Sequence, residues 1–117
     1  MNAYVYFVLV SVLLLVIDIP WLWLNMGTFQ KVVSDIQGSP LSFRLDGALV
    51  VYPALAYLVL KAKSAQEAFM IGATTYAVYD FTTYSMFTKY PLRVALMDTV
   101  WGGVLFSITH MLLRKFD

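Results

Sequence analysis

The stretch VLLLVIDIPWLWLN, residues 12–25, decides how the chain is read. Up to its closing Asn25 it is apolar except for Asp18, which has Pro20 and Trp21 beside it. A carboxylate at the centre of a membrane helix costs about 2.5–3.5 kcal/mol on insertion scales. The stretch lies inside an apolar run from about Ala3 to Asn25, and a spanning helix needs roughly 17–25 such residues. The run has neither a basic segment before it nor a small-residue cleavage site after it. It therefore reads as a retained anchor, not a signal peptide.

Composition agrees with a lipid environment. Of the 117 residues, 61% are hydrophobic and 13% are charged, where soluble domains carry about 25% charged residues. The length suits one domain, residues 1–117. A net charge of +1 leaves no basic footprint for nucleic acid. Cysteine is absent, which excludes thiolate chemistry and disulfides.

Three more apolar segments follow, giving expected transmembrane helices at about 3–25, 42–61, 65–88 and 92–113. The second reaches spanning length only if Arg44 and Asp46 are counted as interfacial. Ser64 and Glu67 form a capping box ahead of the third, and Pro91 suits the first turn of the fourth. Between the first two, Phe29, Val32, Val33 and Ile36 recur at i, i+3, i+4, i+7, which predicts a short amphipathic helix at about 28–37. It is expected to lie at the membrane interface, or else to pack on the bundle. The fold class expected is all-α: a four-helix transmembrane bundle with a short interfacial helix between helices 1 and 2. Lys31, Arg44, Lys89 and Arg93 fall on one side, and Lys61, Lys63, Arg114 and Lys115 on the other. That tie leaves orientation open.

Two more acids, Asp80 and Asp98, interrupt apolar segments. Counting from the helix ends at 1.5 Å per residue puts all three roughly 9–11 Å below the same membrane face. Tyr52 falls at a similar depth. Each acid has a partner three residues on: Trp21 after Asp18, Thr83 after Asp80, Trp101 after Asp98. Residues so spaced share a helix face, and indole N–H or hydroxyl groups can donate to a carboxylate. Facing lipid, three acids would cost roughly 7–10 kcal/mol, comparable with the stability of a domain. They are expected to face inward, where like charges oppose ionisation, so that one binds a proton or a cation neutralises the group. Arg93 and Arg44 are the candidate counter-ions.

Other features point elsewhere. His110 lies twelve residues beyond Asp98, too far to join the acids, and reads as interfacial. Without cysteine, a transition-metal site is not expected, whereas a hard cation on three carboxylates stays open. Gly102-Gly103 and Gly72-Ala73 suit close helix packing. Pro20 and Pro53 suit kinks near the acid layer.

Asp18-x-x-Trp21, Tyr79-Asp80 with Thr82-Thr83, and Pro91-Leu92-Arg93 with Asp98 and Trp101-Gly102 fall in order along nearly the whole chain. In this the chain resembles the domain-of-unknown-function family 2177, small integral membrane proteins with bacterial and viral members. Pro20 departs from that family's frequent Ala or Leu. The resemblance implies a four-helix membrane protein with Asp18, Asp80, Asp98, Arg93, Trp21 and Trp101 as its polar signature, and it implies no activity.

The leading functional expectation is an intramembrane acidic pocket that binds or moves a proton, a cation or a cationic small molecule. Asp18, Asp80 and Asp98 would carry charge there, oriented by Trp21, Trp101, Thr83 and Tyr52, with Arg93 and Arg44 balancing it. An alternative is an accessory subunit of a membrane or viral assembly, with the acids as interhelical glue. A weaker one is a lipid-headgroup enzyme using a carboxylate-bound divalent ion. The expected partners are the lipid bilayer and further copies or subunits of a membrane complex, with no nucleic acid.

Overall fold

The computed structural model describes residues 2–42 and 44–115, and its described residues form five helices. These are α1 (Ala3–Leu24), α2 (Met26–Gln37), α3 (Leu45–Val59), α4 (Ala65–Met86) and α5 (Leu92–Arg114). Asn2 caps α1, its side chain accepting from the Tyr4 amide. Ser64 caps α4 by accepting from the Glu67 amide, and the Glu67 carboxylate reaches back to the Lys63 amide. The Glu67 amide is one of those a helix start leaves unpaired, and the return bond ties down the residue before the cap.

The expectation of four transmembrane helices is corrected. Only α1 and α5 combine the length and the apolar composition of a membrane span. The 15 residues of α3 rise only about 22 Å, short of a ~30 Å hydrocarbon core. At the head of the expected helix Ser42 is non-helical, and Arg44 is the cap of α3. Phe43, also inside the expected 42–61 span, lies outside the described residues. Helix α4 has 22 residues but is interrupted by Thr, Tyr, Ser and Asp side chains and does not meet the apolar criterion.

The short amphipathic helix expected at about 28–37 is present as α2, and along its apolar stripe Val32 is buried and Phe29, Val33 and Ile36 are half-buried. It ends at Gly38, whose φ of 75° is the left-handed conformation that glycine adopts at least cost. The Gln37 side chain then donates to the Ser39 and Pro40 carbonyls, and the Leu41 amide donates to Gln30. These bonds fold the linker back over α2.

The core joins Val10 and Leu14 of α1, Leu55, Ala56 and Val59 of α3, Ala68 of α4, and Leu105 and Phe106 of α5. The tightest pair is α4 with α5. A Cβ on Gly72 would strike the Gly102 carbonyl, and one on Gly102 would strike the Tyr76 ring. The backbones touch there, as small residues permit between helices in lipid. The exterior is apolar: Val8, Val12, Val16 and Ile19 of α1 and Leu96, Val100 and Met111 of α5 are exposed. Soluble proteins seldom expose apolar surface on that scale.

Candidate functional site

Helical spacing brings Asp18 to the inner face of α1, one turn beyond Leu14 and two beyond Val10, both core residues. Asp18 is 6% exposed. Its two oxygens accept from different helices: Oδ2 from the Tyr52 hydroxyl of α3 at 2.6 Å, and Oδ1 from the Trp101 indole of α5 at 2.7 Å. Asp80 on α4 is fully buried. Its Oδ1 accepts from the Tyr90 hydroxyl at 2.6 Å, while its Oδ2 is buried with no partner. Asp98 on α5 has Asp80, Asp18 and Trp21 as neighbours. Asp80 Oδ2 and Trp21 Nε1 form no well-aligned hydrogen bond, yet both residues lie close enough to Asp98 to act on its carboxyl.

The two tryptophans therefore do not serve the acids of their own helices. Trp101, three residues after Asp98, donates to Asp18, and Trp21, three residues after Asp18, lies beside Asp98. Their rings stack at 4.9 Å between centroids, inclined by 4°. The i, i+3 expectation is corrected for both. The side chain of a helical residue leans toward the N-terminus, and the stacked rings carry each indole nitrogen across to the neighbouring helix.

A cavity of about 270 Å³ adjoins these groups. Asp18, Asp98 and Trp21 form one wall with Tyr76, Tyr79 and Tyr90. Phe29, Val32 and Val33 of α2 close another, with Leu22, Leu41 and Val94. No lysine, arginine or histidine lines it. Trp21 also borders a second, mostly apolar groove along Leu96, Val100 and Val104.

The remaining expected site residues lie elsewhere. Thr83 donates its hydroxyl to the Tyr79 carbonyl on its own helix. Arg44 is exposed and pairs loosely with Asp46 at 3.8 Å. Arg93 is exposed, and it makes no ion pair with an acid among the described residues. Long cationic side chains near helix ends reach for water, which explains why neither arginine turns inward. His110, read as interfacial, is instead 9% exposed with Nε2 unpartnered. Among the described residues, no three acid or imidazole side chains gather in a group that would hold a metal ion.

Sequence reasoning missed Tyr90, which sits between α4 and α5 where no periodicity marks it. Burial, and next the bond to Asp80, hold its phenol above the ordinary value of 10.0. It also missed the α2 wall, whose apolar stripe was visible but whose target was not.

A family model described as a predicted membrane protein, DUF2177, matches residues 3–113. Comparisons with curated proteins and with solved structures gave no match.

Proposed function

The chain belongs to the DUF2177 family of predicted membrane proteins, and from that premise we propose that it holds an acidic pocket that takes up positive charge. The charge is a proton, a cation or a cationic small molecule. One observation carries this reading: Asp18 and Asp98 line a single cavity, Asp80 lies against Asp98, and no basic side chain offsets them. Hydrogen bonds to carboxylates stabilise but do not neutralise, and three acids in a low-dielectric setting demand a counter-charge. Asp18 belongs to α1 and Asp98 to α5, the two helices suited to crossing a membrane. On this reading both cross the bilayer, the chain is a multi-pass integral protein, and further copies or partner subunits complete any pathway across it.

The bonds from Tyr52 and Trp101 to Asp18 favour a second reading for that residue, as interhelical glue. Such bonds average about 0.6 kcal/mol in measured membrane proteins. Replacing each Asp by Asn in purified protein separates the two. A pocket predicts that Asp98→Asn keeps thermal stability while proton release on cation addition disappears. If all three variants lose assembly and the wild type takes up no cation or proton, the acids are structural.

A further inference from the structure

We infer that the cavity is a cage for a small organic ammonium, with Asp18 and Asp98 as counter-charge and the Trp21, Tyr76, Tyr79 and Tyr90 rings as its aromatic walls. This rests on the acidic-pocket reading and names its ligand class. The composition of the wall decides among cations. A proton needs no room, yet the cavity holds about 270 Å³. A hard metal ion prefers six to eight oxygen ligands, whereas Phe29, Val32 and Val33 line one side with carbon. No acid group here is placed to hold a metal. A cation wrapped in methyl or methylene groups suits both walls. Its charge meets the carboxylates and the aromatic faces, to which ammonium groups are attracted, and its alkyl surface meets α2. The volume lies just under the roughly 300–1,000 Å³ of drug-sized sites, so the ligand is small.

A second observation points the same way. Asp80 is fully buried against Asp98, a residue of the cavity wall, and its Oδ2 has no well-formed hydrogen bond. Buried polar atoms in finished sites are nearly always satisfied. An acceptor left short beside the acidic wall marks a place that positive charge completes.

The test is calorimetric titration of the full chain in maltoside micelles at constant ionic strength. The probes are choline chloride, its neutral carbon isostere 3,3-dimethylbutan-1-ol, sodium chloride and magnesium chloride. The expected result is saturable choline binding, with the neutral isostere at least about tenfold weaker and the inorganic salts failing to compete. Asp98→Asn should weaken choline by about tenfold or more. Tyr79 is 67% exposed at the rim, so its variants keep the fold: Tyr79→Phe holds affinity within about threefold, and Tyr79→Leu loses more than that. Sodium or magnesium binding without choline binding would overturn the ammonium cage and leave the acidic pocket standing. Equal binding of choline and the alcohol, or no binding of any cation, would overturn both. Repeating the titration in phosphatidylcholine and phosphatidylglycerol nanodiscs identifies the source of the ammonium. Choline weakened only in phosphatidylcholine marks a lipid headgroup, unchanged affinity in both marks a free amine, and either supports the cage.

Discussion

Trp21 and Trp101 occupy the same position relative to an aspartate in sequence, three residues after Asp18 and after Asp98, yet they should respond oppositely to the same substitution. Trp101→Phe keeps an aromatic ring in the stack but removes the 2.7 Å donor to Asp18. A hydrogen bond to a charged group contributes about 1.5–3 kcal/mol. Asp18 is nearly dry and would retain only Tyr52, so the upper half of that range applies. Trp21→Phe removes a nitrogen that lies beside Asp98 without a well-formed hydrogen bond. Taking away a buried donor so placed is neutral or mildly stabilising in that atom. Both changes shrink one stacked indole to phenyl, so the loss of ring area largely cancels between them. The difference in unfolding free energy should therefore be about 2–3 kcal/mol, a factor of roughly 30–150 in the unfolding equilibrium. Reversible unfolding in mixed micelles, read by far-UV dichroism, measures it. The double variant with Tyr52→Phe should lose more than the sum, because Asp18 is then buried with no donor. Equal costs for the two tryptophans, or a larger one for Trp21, would refute the crossed pairing and the buried network built on it.

Gly72→Ala should destabilise by about 1–3 kcal/mol, because its new methyl meets the backbone carbonyl of Gly102 and the two helices must part. Gly27→Ala, in open space inside α2, should instead raise thermal stability by up to about 1 kcal/mol. The Tyr90 phenol titrates above its unfolded value of 10.0, so its stabilisation is intact below pH 10.0 and lost as pH rises past it. Melting curves across that range should show Tyr90→Phe with the smaller alkaline loss and a lower stability at neutral pH. Val32→Asp should loosen α2 from the cavity, and amide exchange should then quicken across residues 26–37 while α4 and α5 stay protected.

Much of the site could be read from spacing. Counting residues from the helix ends put Asp18, Asp80 and Asp98 in one layer with Tyr52, and the structure gathers those residues. Ser64 and Pro91 stand immediately before the helices they were taken to open. The errors came from information that a single strand of sequence does not carry. The indole of Trp101 was assigned to the acid of its own helix, yet the choice between acids depends on how α1 and α5 face each other. Spanning capacity rests on treating Arg44 and Asp46 as interfacial, but α3 begins only at Leu45 and has 15 residues. Four spans were inferred where two qualify, because α4 is long without being apolar enough. The arginines were matched to the acids on charge alone, and water outcompetes an inner site for a cation at a helix rim.

The partners of Asp18 lie 34 and 83 residues further along the chain. During synthesis at about 5–20 residues per second, Tyr52 emerges roughly 2–7 s after Asp18 and Trp101 roughly 4–17 s after it. Until Tyr52 emerges the carboxylate of α1 has neither of its final donors, and until Trp101 emerges it lacks one. Helix α5 is thus the one that makes α1 secure, and a ribosome stalled before Trp101 would leave Asp18 with Tyr52 alone. Closure of this network waits for α5, with one indole nitrogen completing what α1 opened.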